Sequence, residues 1–364
     1  MPENTLTNQA HPYWVALSYF MKIGPQRLAT LRQFFKTPKE IWEASLSELK
    51  QSRLDEKLLN EFITFRTDFN LEEKYQAITK MGLGVITIDD EAYPKLLKQI
   101  YDPPFLLFYR GDITCLQKPS LAVVGTRRAS NYGLQITQNL IDPLARAGLV
   151  IISGLAYGID AVAHRSTLLA CGTTIAVLAS GLDTIYPTAN LPLAQDIVNK
   201  GGLLISEFPP GAAPLKQNFP FRNRIIAGLA RGTLVIEAAL GSGSLITAKS
   251  ALEANREVFA VPGNIMLETA QGTNDLLKAG AHLVTDAQDI LDVFGLEYIP
   301  REALPEATPE QNNILNQIES EPIGVDELVK KLNLAPSAIL SELTMLELSG
   351  HLKKMENGKY LKIM

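Results

Sequence analysis

The stretch Leu121-Ala122-Val123-Val124-Gly125-Thr126-Arg127-Arg128 decides the fold of this chain. Four apolar residues, two of them β-branched, end at a glycine, which is typical of a strand buried on both faces and followed by a tight turn. The turn carries a hydroxyl and two guanidinium groups, and Ser130 and Asn131 follow as candidate helix caps. Because ligands of open α/β sheets bind outside the carboxyl ends of the strands, this edge is a candidate anion site. Gly125 allows the backbone to approach a phosphate there.

The same alternation of strand and helix patterns continues towards the C-terminus. Near-continuous Val, Ile and Leu runs recur, with helical patterns between most of them. Such runs predict a mostly parallel sheet covered by helices on both faces, which is a Rossmann-like α/β fold. The predicted strands are Leu121–Val124, Leu149–Ile152, Thr174–Leu178, Leu203–Ser206, Leu234–Glu237, Val258–Val261 and His282–Val284.

The N-terminal part reads as a separate small helical domain, residues 1–70, of SAM-like or helix-hairpin-helix-like type. Apolar residues recur at helical spacing on both sides of Ile23-Gly24-Pro25. This turn is either a packed connection between two helices or a turn that offers backbone amides to a phosphate, and its aromatic neighbours are predicted to be core. The extended Rossmann-like domain is predicted for residues 71–294, with two further strands at Gly84–Ile88 and Phe105–Tyr109.

The C-terminal part is predicted to be a winged-helix domain. A linker of residues 295–309 contains three prolines and precedes residues 310–364. Three helical patterns follow, the last opened by Pro336, a residue that the first turn of a helix tolerates. Glu356-Asn357-Gly358 is a strong hairpin signal between two short apolar segments. Three helices and a hairpin are the elements of a winged helix.

Composition excludes several classes of protein. The 364 residues are 46% hydrophobic and 20% charged, as in globular proteins, and the net charge is −5. That charge excludes a chain that is basic all over, although it allows a local basic groove. The two cysteines are far apart, so we expect neither a disulfide framework nor structural zinc, and a reducing cytoplasm fits. No apolar run reaches the roughly 18–20 residues of a membrane span, and the N-terminus has no secretory pattern, so no membrane insertion is predicted.

A second informative stretch runs from Pro209-Pro210-Gly211 to Arg224. It follows the strand Leu203–Ser206, so it is expected at the same sheet edge as Arg127. Cations neutralise phosphates and aromatic rings stack on unpaired bases, which is the combination that single-stranded nucleic acid requires. The alternative is a proline-rich loop with exposed arginines and a buried pair of phenylalanines. The candidate residues are Lys216, Phe219, Arg222, Asn223 and Arg224.

The third stretch, from Gly241 to Lys249, is a Gly/Ser loop that runs from a strand into a helix. Backbone amides and hydroxyls at a helix N-terminus form a phosphate cradle, here with Ser242 and Ser244. The loop is neither a Walker A sequence nor a GxGxxG fingerprint, and a plain strand-to-helix turn is the alternative.

Asp160 and His164 are four residues apart and would share one face of a helix. A catalytic interpretation makes them an orienting carboxylate and a general base. No convincing nucleophile or set of metal ligands accompanies them. We therefore expect a helix-capping turn with a satisfied histidine.

The motifs VGTRRASNYG, SGLAYGIDAVAH, VLASGLDTIYP, ISEFPPG, FPFRNRIIAGLA, GSGSLITA and VPGN together resemble the DNA-processing protein A (DprA/Smf) family. They occur in family order. The resemblance implies a bacterial cytoplasmic protein of natural transformation, or competence, and DNA recombination. Such a protein binds and protects incoming single-stranded DNA, loads the RecA recombinase and forms a homodimer through its Rossmann-like domain. It implies no enzymatic activity, no cofactor and no metal.

The resemblance also implies a DNA-binding set on matching positions of this sequence, and two alternatives remain. A nucleotide-binding enzyme of the phosphoribohydrolase type would need an acidic catalytic residue near Lys249. The cation at this position favours phosphate binding over hydrolytic base chemistry. A duplex-reading regulator would use the helix of Pro336–Leu348, which contains no Arg, Lys, Asn or Gln to read base edges. The implied DNA-binding residues are Gly125, Thr126, Arg127, Arg128, Lys216, Phe219, Arg222, Asn223, Arg224, Ser242, Ser244 and Lys249.

Overall fold

A computed structural model describes residues 5–297, 307–318, 323–332, 334–349, 351–354 and 358–362. The chain divides into two compact units, Met1–Ile299 and Pro300–Met364. Residues 1–70 belong to the first unit, and the boundaries predicted around residues 70, 294 and 309 stay predictions.

The first unit alternates helices and strands through most of its length. Its helices are α1 (Thr5–Tyr19), α2 (Pro25–Leu31), α3 (Pro38–Glu43), α4 (Leu46–Leu49), α5 (Glu56–Thr67), α6 (Leu71–Lys80), α7 (Lys95–Lys98), α8 (Asn131–Arg146), α9 (Ile159–Leu169), α10 (Leu191–Asn199), α11 (Asn218–Leu229), α12 (Gly243–Glu253), α13 (Glu268–Lys278) and α14 (Gln288–Phe294). Its strands are β1 (Gly84–Thr87), β2 (Leu106–Gly111), β3 (Ser120–Val124), β4 (Val150–Ser153), β5 (Thr174–Val177), β6 (Leu203–Ser206), β7 (Gly232–Val235), β8 (Glu257–Ala260) and β9 (His282–Leu283).

The described strands of this unit form one nine-stranded sheet in the order β1-β2-β6-β5-β4-β3-β7-β8-β9. The pairs from β6 across to β9 are all parallel, whereas β2 is antiparallel to both β1 and β6. The predicted Rossmann-like fold with a mostly parallel sheet is confirmed.

Strand β3 is buried along its whole length, as its apolar run predicted. Leu121 and Val123 join the core on the side of α8 and α14, and Ala122 and Val124 join the core on the side of α11 and α12. This alternation follows from the two-residue period of a strand. The strand is therefore anchored on both faces, and the turn after it is held at a fixed place on the sheet edge.

Strand β7 ends two residues earlier than its apolar run predicted, at Val235 rather than at Glu237. The next two residues still form backbone hydrogen bonds with the end of β3 and the turn after it. Ile236 N donates to Val124 O over 3.1 Å, and Thr126 N donates to Glu237 O over 2.8 Å. These bonds tie the end of β7 to the turn after β3.

The N-terminal helices pack on the sheet through aromatic side chains. Trp14, Phe20 and Phe62 are buried, and the Trp14 and Phe105 rings lie 5.5 Å apart between centroids. The prediction that the aromatic residues of this part are core is confirmed for Trp14 and Phe20, but it is wrong for Phe34, which is 48% exposed. Helix α2 begins at Pro25 directly after Gly24, and a phosphate-binding role of that turn stays a hypothesis.

The second unit has the predicted winged-helix elements. Its helices are α15 (Pro309–Gln317), α16 (Val325–Leu332) and α17 (Pro336–Leu348), and its strands β10 (Leu352–Lys354) and β11 (Tyr360–Lys362) are antiparallel. A separate core gathers the buried faces of the three helices with Leu352 and Tyr360. Of the predicted hairpin tip Glu356-Asn357-Gly358, the first two residues lie outside the described residues. Within the part of the chain that the structure describes, no helix is both long and apolar enough to cross a membrane.

Candidate nucleic-acid interface

The candidate site lies where the strand order reverses. The chain runs from β3 through β4 and β5 to β6 on one side, and then crosses to β7 on the other side of β3. Such a reversal leaves a crevice at the carboxyl ends of the two central strands, where ligands of α/β proteins bind. A cavity of about 210 Å³ opens at this place in the structure. Among the predicted site residues, those that line it are Gly125, Arg127, Phe219, Arg222, Asn223, Ser242 and Ser244.

The turn after β3 is fixed by Glu237. The Glu237 carboxylate accepts hydrogen bonds from Ser130 N (2.9 Å) and Ser130 Oγ (2.5 Å). Ser130 is the N-cap of α8, as predicted, and its Oγ accepts from Gly133 N over 3.1 Å. Gly133 has no space for a side chain, since a Cβ there would lie 2.2 Å from Glu237 Oε2. Arg127 therefore projects from a turn held by both backbone and carboxylate contacts.

The loop between β4 and α9 packs against the same turn after β3. Gly158 has a φ of +72°, and a Cβ on it would lie 2.3 Å from Thr126 O. Only glycine combines that backbone conformation with such a close approach. The motif that contains Gly158 is thus a structural support for Thr126 and Arg127.

Phe219 and Arg127 form a stacked pair beside the cavity. Arg127 Cζ lies 5.0 Å from the Phe219 ring centroid, and the Tyr186 ring lies 6.0 Å from it in an edge-on arrangement. Phe219 is half-buried, while Arg127 is exposed. A cation over an aromatic face is attracted by the ring quadrupole. Phe219 therefore holds the Arg127 guanidinium in place, in addition to any contact with a base.

Arg222 is a buried residue in the lining of the cavity. Its side chain is 4% exposed, and its Nη1 donates to Val177 O over 2.7 Å. Gly154 makes room for it, because a Cβ there would lie 1.7 Å from Nη1. Burial lowers the pKa of Arg222 to about 10, with Asp160 opposing and Arg127 adding to the effect. The guanidinium is still charged at neutral pH, so it supplies a buried positive charge.

Arg224 is placed differently from the prediction. Its Nη2 donates to both carboxylate oxygens of Glu207 at 2.6 Å, and its Nε lies 3.1 Å from an oxygen of Asp102. Residues two apart on a helix point about 200° apart, so Arg224 faces away from the side that Arg222 occupies. Its charge is matched inside the protein, and it does not line the cavity.

Helix α12 begins at the cavity with Gly243, after the N-cap Ser242. Ser242 Oγ and Ser244 Oγ lie 2.7 Å apart, and Asn223 Nδ2 donates to Gly243 O over 3.2 Å. A helix N-terminus carries a partial positive charge and free N–H groups, which favour anions. The predicted cradle of serines and glycine is therefore assembled at the end of β7.

The remaining predicted residues lie outside the cavity. Arg128 and Lys216 are exposed, and Thr126 accepts from Arg128 N at its Oγ1 over 3.2 Å. Lys249 is exposed on α12 and lies 3.7 Å from Glu253. Sequence reasoning missed Ile246 and Thr247, which line the cavity one helical turn after Ser242 and Gly243. Helical spacing from Ser242 was the signal that would have found them.

Asp160 and His164 do not form a catalytic pair. Asp160 accepts from the backbone N–H groups of Gly154 (3.1 Å) and Ala156 (3.4 Å). His164 is fully buried, and its Nδ1 lies 2.7 Å from Thr174 Oγ1. Burial, reinforced by Arg222, lowers the pKa of His164 to about 3.

The expected helix-capping turn is not found in that form, because the N-cap of α9 is Gly158, which makes no side-chain capping hydrogen bond, and Asp160 instead binds two N–H groups of the loop before the helix. The histidine is only half satisfied, because its Nε2 has no hydrogen-bond partner among the described residues. In that same part of the chain, no group of three or more His, Cys, Asp or Glu side chains is arranged to hold a metal ion.

Two protein-family models match this chain and show which family it belongs to. The model of DNA recombination-mediator protein A matches residues 84–295, and that of the DprA winged helix domain matches residues 299–358. The chain belongs to the DNA recombination-mediator protein A family. The predicted DprA/Smf resemblance is confirmed, and both matches cover the units that carry the sheet and the winged helix.

Proteins of this family align with most of this chain. Protein Smf of Escherichia coli (strain K12) is 39% identical over 85% of this chain and 85% of its own length. An X-ray structure of DNA processing protein A from Streptococcus pneumoniae superposes with a TM-score of 0.63 at 40% identity, covering 71% of this chain and 88% of that one. DNA processing protein A from Helicobacter pylori, whose structure concerns its single-stranded DNA binding mode, matches with a TM-score of 0.53 at 33% identity, covering 58% and 95%.

Proposed function

We propose that this protein binds single-stranded DNA at the strand-order reversal. The observation that carries the proposal is Arg127, held on the Phe219 ring beside a cavity that also receives the N-terminus of α12. An exposed guanidinium, a half-buried aromatic ring and a helix N-terminus together suit a phosphate with an unpaired base next to it. The single-stranded DNA binding mode described for the Helicobacter pylori relative supports the proposal.

The predicted residues take separate roles in this proposal. Arg127, Arg128 and Lys216 are exposed cations for phosphates. Arg222 adds a buried positive charge, and Arg224 holds α11 without touching DNA. Lys249 stands apart from the cavity, beside Glu253, and is left out of the set. The remaining contacts come from Gly125, Thr126, Phe219, Asn223, Ser242 and Ser244.

The finer biological role is also a proposal. We infer that the protein acts in the bacterial cytoplasm during natural transformation, protects incoming single-stranded DNA and loads the RecA recombinase. A homodimer formed through the Rossmann-like domain would place two such sites in one particle. Family membership and the DNA-processing relatives support this inference.

The enzymatic alternative receives no comparable support. An enzyme of the phosphoribohydrolase type requires an acidic side chain at the place where α12 carries Lys249. Among the described residues that line the cavity, Asp160 is the only one with a carboxylate. That carboxylate is buried and accepts hydrogen bonds from two backbone N–H groups. We therefore assign no reaction to this site.

Loss of an exposed cation should weaken binding because a phosphate is then no longer neutralised. For Arg127→Gln and Lys216→Gln, we expect binding to weaken by about 10- to 150-fold, from a charged hydrogen bond of about 1.5–3 kcal/mol. Each substitution should also flatten the log–log salt dependence by about 0.7, the contribution of one phosphate on a single strand. Fluorescence anisotropy with a labelled oligothymidylate over a salt series measures both quantities.

Lys249→Gln is the matched control, because it also removes one exposed positive charge from the same unit. Its affinity and salt slope should stay close to those of the parent protein. If all three variants bind alike, the proposed interface is wrong.

Removal of the winged helix should leave single-strand binding largely intact. Helix α17 offers Glu342 and Glu347 to an approaching phosphate backbone and no Arg, Lys, Asn or Gln. A chain that ends at residue 305 keeps the whole first unit. We expect its affinity for the same oligonucleotide to remain within about twofold, because the cations that neutralise phosphates in the proposed interface are all retained. A loss above tenfold in a truncated chain with an unchanged melting temperature would contradict this expectation.

A further inference from the structure

Two exposed tyrosines lie on the same sheet edge as the proposed interface. Tyr157 follows β4 and Tyr186 follows β5, and they are 49% and 45% exposed. Gly158, the residue after Tyr157, is the glycine that packs against the turn after β3. The centroid of the Tyr186 ring lies 6.0 Å from that of Phe219. Each tyrosine therefore borders one of the two features that position Arg127.

Hydrogen bonds from two buried asparagines hold the loops that carry these tyrosines. Asn190 Nδ2 donates to Leu155 O over 2.8 Å and to Ala156 O over 3.2 Å, which ties the loop after β5 to the loop after β4. Asn218 Nδ2 donates to Ala179 O over 3.1 Å and so holds the loop after β5 against the start of α11. Because the backbone of both loops is ordered in advance, less conformational freedom is lost when a ligand binds.

The Phe219 ring already contacts other side chains. Arg127 Cζ and Arg222 Cζ lie 5.0 and 5.9 Å from its centroid, and the Tyr186 ring meets it edge-on. Phe219 is half-buried, whereas Tyr186 and Tyr157 are exposed. A flat ligand that needs an aromatic face therefore has better access to the two tyrosines than to Phe219.

The chemistry of the loop after β5 suits a base and not a phosphate. Residues 178–190 contain no Lys or Arg, and their one carboxylate, that of Asp183, accepts from Gly211 N over 3.0 Å. Aromatic rings stack on every base, because every base has a π-face. The ring planes of Tyr186 and Phe219 differ by 66°, so bases that lay flat on both could not stay parallel to each other. A single strand can unstack its bases in this way, and a duplex cannot without losing its base pairs.

We propose that Tyr186 and Tyr157 stack on bases of the bound single strand. The inference rests on the proposed function, and it adds the residues that contact bases and the course of the strand. From Arg127 the strand runs over the ends of β4 and β5, and not over the ends of β7 and β8. Arg127 neutralises a phosphate while the two tyrosine rings hold neighbouring bases.

Photochemical crosslinking identifies the side chains that contact bases. An oligothymidylate in which 5-iododeoxyuridine replaces one thymidine at a time is bound to the full-length protein and irradiated. The iodinated base couples to an aromatic ring on which it stacks, and mass spectrometry of the digested protein locates the bond. We expect crosslinks at Tyr186 and at Tyr157.

Alanine variants measure what the rings contribute to affinity. Tyr186→Ala and Tyr157→Ala should each weaken binding of oligothymidylate by about 5- to 150-fold, the usual effect of removing one stacking ring. The log–log salt dependence should stay unchanged, because no phosphate contact is lost. Tyr186→Phe keeps the ring and should recover most of the affinity that Tyr186→Ala loses. Fluorescence anisotropy over a salt series gives both quantities.

Tyr132→Ala is the matched control. Tyr132 is 47% exposed and lies at the start of α8, where its hydroxyl donates to Pro262 O, in the loop after β8, over 3.0 Å. It is therefore an equally exposed tyrosine on the β7–β8 side of the same edge. Its loss should leave the affinity within about twofold of that of the parent protein, because the proposed strand does not cross this side.

Three results would overturn the inference and leave the proposed single-strand binding standing. The first is the absence of crosslinks at both Tyr186 and Tyr157. The second is a larger loss of affinity in Tyr132→Ala than in the other two alanine variants. The third is a flatter salt dependence in Tyr186→Ala, which would mean that Tyr186 supports Arg127 and does not contact a base. No measurable binding of oligothymidylate by the wild type would contradict the proposed function itself.

Discussion

Replacing Arg224 with methionine is expected to lower the free energy of unfolding by about 3–5 kcal/mol, the usual cost of removing one partner of a buried ion pair. Glu207 would lose both of its 2.6 Å hydrogen bonds, and its carboxylate is largely buried. Burial already raises the pKa of Glu207, and Arg224 opposes that effect. Urea unfolding followed by tryptophan fluorescence, from Trp14 and Trp42, measures the loss.

Two further variants separate the ion cluster from other effects of the substitution. Lys216→Met removes a cation that is exposed, so its free energy of unfolding should change by less than about 0.5 kcal/mol. The double variant Arg224→Met, Glu207→Gln removes the uncompensated charge and should recover part of the loss. A loss below about 1 kcal/mol in the single variant would show that the cluster is not a stability determinant.

Acidification from pH 6.5 to pH 4 is expected to destabilise the protein through His164 by about 3 kcal/mol. The pKa of His164 is lowered to about 3 in the folded protein, whereas the unfolded chain has a value of about 6.5. Below pH 6.5 the unfolded state therefore binds a proton that the folded state does not. Each pH unit in this window costs about 1.4 kcal/mol, and the loss levels off near the folded pKa.

The comparison with His164→Gln isolates this contribution. Burial raises the pKa of Asp160 and Glu207, so these carboxylates act in the opposite direction as the pH falls. Both groups are present in the two proteins, and their effects cancel in the difference. Urea unfolding at a series of pH values should give a flatter curve for the variant. Parallel curves would mean that His164 takes up its proton in the folded state.

The sheet edge could be predicted because strand ends are local signals. The apolar run of β3, the glycine after it and the Ser130 cap are all contained in one stretch of sequence. The parallel arrangement then requires the carboxyl ends of β3 and β7 to meet at one edge. That is why Arg127 and the Ser242 loop could be assigned to the same site from the sequence alone.

The roles of the arginines on α11 could not be predicted in this way. Arg222 and Arg224 are the same residue type, two positions apart, and the motif gives no sign of which one faces the cavity. The placement of Arg224 depends on Glu207 and Asp102, which come from other parts of the chain. Lys249 is a different case, because it comes two residues after Thr247, about 200° further round α12, and so lies on another side of the helix from that residue, which lines the cavity.

The turn that carries Arg127 has a consequence for the rate of binding. Glu237 holds it from one side and Gly158 packs against Thr126 O from the other, so the guanidinium has its position before a ligand arrives. Ordering a flexible side chain on association costs about 0.5–1.5 kcal/mol, and a pre-placed group avoids most of that. Capture of a strand at this edge should therefore be limited by diffusional encounter and steering, and not by a slow rearrangement of the loop.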